Sequence, residues 1–110
     1  MTYTTRASDP SRAQIDALPG AAVLEFGTAW CGYCQAAQPL IEAELGPANV
    51  EHIKVEDGKG LVLGRSFQVK LWPTLIFLKD GREVARVVRP RDRRQIREAL
   101  EQIESGRDGG

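Results

Sequence analysis

Residues 21–28, AAVLEFGT, are apolar apart from one glutamate, and the run is short enough for a buried strand. From residue 31 to 45 the composition turns to Ala, Gln, Glu and Leu, which predicts that this strand feeds a helix. VEHIKVE at 50–56 reads as the next strand, with Val50, Ile53 and Val55 as its apolar positions. Residues 60–69 predict a short helix, which Gly60 and Gly64 each weaken by about 1 kcal/mol relative to alanine. TLIFLKDGREVARVV at 74–88 gives two strand-like runs around Asp80-Gly81, a dipeptide suited to the positive φ angles of a tight hairpin.

The last helix carries Ile96, Ala99, Leu100 and Ile103 at the spacing of one apolar face. Asp92 is its expected N-cap, and Gln95 three residues on completes a capping-box pattern. With a helix over roughly residues 11–18 at the start, the order is helix, strand, helix, strand, helix, strand, strand, helix. A βαβ unit followed by a hairpin and a closing helix predicts an α/β fold, a central mixed β-sheet with helices on both faces.

A chain of 110 residues with 42% hydrophobic content is sized for one domain, residues 1–110, with a single core. The ends are polar, and residues 1–10 and 105–110 are expected to be mobile. Lys+Arg and Asp+Glu both total 15, so no global positive charge is available to hold nucleic acid. The first twelve residues lack the apolar run of a signal peptide, and no segment approaches the roughly 20 apolar residues of a membrane span. The expectation is a cytoplasmic protein.

Composition sharpens the picture most at TAWCGYCQAAQP, residues 28–39, which holds both cysteines of the chain, Cys31 and Cys34. Two cysteines cannot build the disulfide framework of a small secreted domain, so the pair is free for chemistry. If the helix begins near Cys31, the sulfurs share a face of its first turn as i and i+3 neighbours, and a disulfide closes there without unfolding. The unpaired N–H groups and the positive end of the helix dipole favour a thiolate at the first position. Cys31 is therefore the expected nucleophile and Cys34 the less exposed resolving thiol.

Other readings of these residues are weaker. A structural zinc site wants four ligands, and the chain offers two cysteines and one histidine on another element, His52, which is expected at the surface of its strand. GKGLVLG at 58–64 has neither the dinucleotide spacing nor a following Gly-Lys-Ser/Thr, which argues against phosphate binding. The basic run RPRDRR at 89–94 reads as a solvated loop and helix start, with a role in partner choice as the alternative.

Together, LEFGTAWCGYC, Pro39 inside the following helix and WPTLIFLKDGREV resemble the thioredoxin family, and the pattern runs from about residue 20 to residue 104. The resemblance implies a thioredoxin fold and a thiol-disulfide oxidoreductase that needs no cofactor beyond its Cys31-Cys34 pair and no metal. It implies Glu25 as the buried acid, Lys54 as its partner, and Pro73 as a proline whose cis bond with Trp72 faces the disulfide. Trp30, Gly32, Tyr33, Trp72, Pro73 and Arg89 fall where the family binds substrate. Glu25 is expected to titrate above its reference value, because desolvation should outweigh Lys54.

Implied partners are disulfide-containing clients and a dithiol reductase as electron donor, with the protein acting as a monomer. The alternatives are an oxidase or isomerase of the same fold, or a peptide-binding or chaperone module with little redox turnover. Three departures from the family pattern bear on substrate choice: Tyr33 in place of proline, Trp72 in place of an aliphatic residue, and Arg89 in place of glycine.

Overall fold

The structure, a computed structural model, describes residues 10–59 and 61–104. Its elements run α1 (Arg12–Asp16), β1 (Ala21–Gly27), α2 (Gly32–Leu45), β2 (Glu51–Glu56), α3 (Val62–Ser66), β3 (Thr74–Lys79), β4 (Arg82–Val88) and α4 (Arg93–Glu104). Order and type match the sequence expectation, and the differences lie in two short helices. Ser11 and Gln14 form a capping box at the start of α1, which then ends ahead of Pro19, since the residue before a proline is driven out of helical conformation. The helix expected over 60–69 contracts to Val62–Ser66, because Gln68 turns to a positive φ of 58°. Gly60 lies outside the described residues. So do the ends at 1–9 and 105–110 that were expected to be mobile, while Pro10 is half-buried.

The sheet order is β2-β1-β3-β4, with β1 parallel to β2 and antiparallel to β3, and β3 antiparallel to β4. Being central, β1 and β3 are buried on both faces, so their sequences read as continuous apolar runs rather than alternating ones. Val23, Leu75 and Phe77 point to one face and pack with Ile41 and Leu45 of α2 and with Ile96, Leu100 and Ile103 of α4. Leu24, Phe26, Ile76 and Leu78 point to the other, against Ile15 of α1, Leu63 of α3 and Phe67 just after it. Each such side chain removed from water contributes about 1.5–3 kcal/mol. The Asp92–Gln95 capping box starts α4 as expected: the Gln95 N–H donates to Asp92 Oδ1 and the Asp92 N–H to Gln95 Oε1, both at 3.2 Å.

The β3–β4 hairpin turns on Asp80 and Gly81, at φ 51° and 82°, the pair of positive angles a two-residue turn needs. Its tip is tied to Gly20, whose N–H donates to Asp80 Oδ1 at 2.7 Å. Gly81 also lies against the carbonyl of Asp16, where a Cβ would have no room. Gly81→Ala should therefore cost about 1–2 kcal/mol of stability and loosen the end of α1. Urea unfolding checks this, and an unchanged midpoint would show that α1 shifts aside freely.

Candidate active site

The β1–α2 junction places the two cysteines. Cys31 keeps an extended conformation (φ −78°, ψ 123°) as the N-cap of α2, and its Sγ accepts the N–H of Cys34 at 3.2 Å. A sulfur there satisfies one of the free amide donors at the helix start and lies at the positive end of the helix dipole. Both cysteines are reduced; Cys31 is 7% exposed and Cys34, one turn in, 1%. Sequence reasoning placed both, and their order of exposure, correctly.

Behind them, Glu25 of β1 is fully buried on the α2 face of the sheet. In register with Lys54, it has Lys54 Nζ 3.8 Å from Oε2. Gln38 of α2 bridges the parts: its Nε2 donates to Glu25 Oε2 at 2.7 Å and to the Cys34 carbonyl at 3.2 Å, and its Oε1 accepts from Lys54 Nζ at 2.8 Å. His52 Nε2 stands 2.9 Å from Glu25 Oε1.

Two expectations need correcting. His52 is not a surface residue of its strand: its side chain is 15% exposed and bonded to the buried carboxylate. It sits two residues before Lys54 and therefore on the same side of β2, so the alternation that delivers Lys54 to Glu25 delivers His52 as well. Glu25, in turn, titrates below its ordinary value, not above it. Burial pushes its pKa up, but the hydrogen bonds to His52 and Gln38 and the charges of Lys54 and His52 outweigh burial.

The rim beside the cysteine turn draws on three loops, those between β1 and α2, α3 and β3, and β4 and α4. The peptide bond between Trp72 and Pro73 is cis, as the sequence reading expected. Trp72 and Trp30 meet edge to face with ring centroids 5.7 Å apart, so the Trp72–Pro73 turn lies against the cysteine turn. Trp72 Nε1 donates to Asp57 Oδ2 at 2.9 Å, a contact with no sequence signal. The Asp57 carboxylate in turn occupies the place a Cβ at Gly64 would need. Trp30 and Tyr33 are largely exposed, at 72% and 61%. Arg89, at a positive φ of 50°, lays its guanidinium 3.8 Å over the Tyr33 ring centroid and donates from Nε to the Trp72 carbonyl at 2.8 Å. Gly32 is the exposed first residue of α2.

Within the rest of the basic run, Arg93 is paired as well as solvated: together with Arg97, further along α4, it holds Glu44 of α2, at 2.7 and 3.2 Å. Among the described residues no group of three or more His, Cys, Asp or Glu is placed to hold a metal ion, and no helix is long and apolar enough to cross a membrane.

Residues 6–102 match the thioredoxin family model. Among solved structures, thioredoxin 2 of Pseudomonas aeruginosa PAO1 in its reduced form is 54% identical, with a TM-score of 0.83 and 96% of each chain covered. A thioredoxin of Chlamydia pneumoniae is 35% identical over 67% of this chain and 74% of its own length. Against thioredoxin H2 of Arabidopsis thaliana, 30% identical over 60% of this chain, the match spans 50% of the plant protein. These relatives favour a disulfide reductase over an oxidase, an isomerase or a binding module. The chain belongs to the thioredoxin family and is a thiol-disulfide oxidoreductase, acting on disulfide substrates and recharged by a reductase.

Proposed function

We propose that the reduced Cys31-Cys34 pair reduces protein disulfides by ordered exchange. The observation that carries this is Cys31 Sγ capping α2 and accepting the Cys34 N–H. The Cys31 thiolate attacks a client sulfur, releasing the first client thiol, and a mixed disulfide forms. Cys34 gives its proton to the Glu25 carboxylate and attacks Cys31 Sγ, which releases the second client thiol and leaves the Cys31-Cys34 disulfide. Lys54 and Gln38 hold Glu25 in place for that transfer. No cofactor enters the cycle.

Clients lie across Trp30, Gly32, Tyr33, Trp72, Pro73 and Arg89, and an extended client segment pairs with the Trp72 backbone, whose carbonyl has a second lone pair beside the one Arg89 takes. The dithiol and its supporting groups all come from one chain, which suits a monomer, and two free thiols suit the reducing cytoplasm. The test is a single incubation of the reduced protein with a disulfide-bonded protein. Intact mass should fall by two hydrogens, peptide mapping should find Cys31 joined to Cys34, and one client disulfide should open per molecule. A protein that binds the client yet keeps both thiols would defeat this reading.

Arg89 adds a cation to an otherwise aromatic rim. Disulfides flanked by acidic and apolar residues should therefore be reduced faster than those flanked by lysines, with the preference fading as salt rises. In Arg89→Gly most of that preference should vanish while the reduction potential barely moves. Equal rates for matched acidic and basic peptides at low salt would remove Arg89 from substrate choice.

A further inference from the structure

We propose that His52 is a positioning residue that relays the Cys34 proton from Glu25 to solvent, through a cleft behind the cysteines that clients do not cover. The inference rests on the reading of Glu25 as the acceptor of that proton. Three observations carry it. First, Glu25 is fully buried, and His52 Nε2 lies 2.9 Å from its Oε1, within reach of direct proton transfer. Second, His52 lines a cleft of about 590 Å³ with Gln38, Glu42, Leu45, Ala48 and Lys54. None of these residues belongs to the face of Trp30, Tyr33, Trp72 and Arg89. A client lying over the cysteines therefore blocks the front of the site and leaves the cleft open.

Third, the carboxylate is a poor place to leave a proton. Its bonds to His52 and Gln38 and the Lys54 charge hold it below its ordinary range despite burial, so a proton taken from Cys34 must move on quickly. An imidazole has two ring nitrogens, so it can take a proton on the one facing the buried acid and release one from the other, which faces the cleft. The ionisable groups around the ring are Glu25 on β1, Lys54 beside it on β2 and Glu42 of α2 across the cleft.

The proton balance is simple. Cys34 loses its proton to Glu25 as its sulfur bonds to Cys31 Sγ and the client thiolate leaves. While Glu25 is a carboxylate, Nε2–H donates to its Oε1; once the carboxyl is protonated, exchange with cleft water moves the ring proton to Nδ1, Nε2 accepts from the carboxyl, and Nδ1 releases a proton to that water, which restores the starting tautomer. The departing client thiolate takes a proton from solvent, so two thiols leave and one disulfide remains.

The test is single-turnover oxidation of the reduced protein by saturating disulfide peptide, followed by tryptophan fluorescence from pH 5.5 to 8 in Glu25→Gln, His52→Gln and His52→Ala. His52→Gln can still bond to Glu25 but cannot carry a proton. It should be slower by roughly tenfold at pH 7, with an unchanged half-saturating concentration and a flattened pH profile. Added imidazole should restore His52→Ala in proportion to its concentration and do nothing for Glu25→Gln. If His52→Gln keeps the wild-type rate and profile while Glu25→Gln is slow, the relay is wrong and the role of Glu25 survives. Wild-type rates in both variants would overturn both. A slow His52→Gln with an unaltered profile and no imidazole rescue of His52→Ala would reduce His52 to packing and overturn the relay. Should His52→Ala fail to fold, the pH profile of His52→Gln decides.

Discussion

Cys31→Ser is expected to lower disulfide reduction by about a thousandfold or more, to background, whereas Cys34→Ser should stop after one step with the client covalently held. The asymmetry follows from where α2 starts. Only the first sulfur sits at the N-cap, accepting an amide N–H and lying at the more exposed edge. Serine there keeps the cap, since hydroxyls cap well, but its oxygen stays protonated and attacks no disulfide. The fold of Cys31→Ser should therefore be intact while its chemistry is gone. Cys34 lies one turn deeper at 1% exposure, where no client sulfur reaches it, yet it remains beside Cys31. In Cys34→Ser the first exchange proceeds and nothing releases the client. Intact-mass spectrometry should show the mixed disulfide through Cys31, and a client trapped instead through Cys34 in the Cys31→Ser variant would reverse the assignment.

Glu25→Gln is expected to cost about 3 kcal/mol at neutral pH, because it removes the anion from a buried cluster and leaves Lys54 and His52 facing an amide. The pH dependence follows from the sign of the shift. A carboxyl whose folded pKa lies below its ordinary 4.5 contributes stability that is complete above 4.5 and is lost as pH falls through the folded value. The gap between the wild type and Glu25→Gln should stay level from pH 7 to about 5.5 and close below 4.5. An acid raised by burial would have made the variant the more stable protein at neutral pH, the outcome expected from sequence. Urea unfolding at stepped pH separates the two, and a variant equal or superior in stability at pH 7 would refute the clamped carboxylate.

That reversal shows where sequence reasoning stops. The elements were legible because each rests on short-range rules: apolar run length for β1 and β3, a capping box and apolar stripe for α4, an Asp-Gly turn for the hairpin. The cysteine chemistry was equally legible, since a strand-to-helix junction fixes both sulfurs within four residues. Glu25 was harder. Its burial was implied by the family resemblance and favoured by Val23, Leu24 and Phe26 around it, but its charge state depends on Gln38, thirteen residues on, and on His52, twenty-seven residues on. These two polar neighbours on different elements, together with Lys54, invert the sign of a shift that burial alone would set. The Trp72–Asp57 bond was invisible for the same reason: an aspartate after a strand looks like any loop residue until the turn of β3 arrives beside it.

The aromatic rim owes its shape partly to a residue no client can touch. Trp72 is held by Asp57, and Asp57 can stand where it does only because Gly64 of α3 brings no side chain. Any side chain at position 64 has to push that carboxylate aside, freeing the indole from its anchor and unsettling its edge-to-face contact with Trp30. Client preference in this protein can therefore drift through a buried glycine on a short helix, with the cysteine turn and every exposed residue of the rim left unchanged.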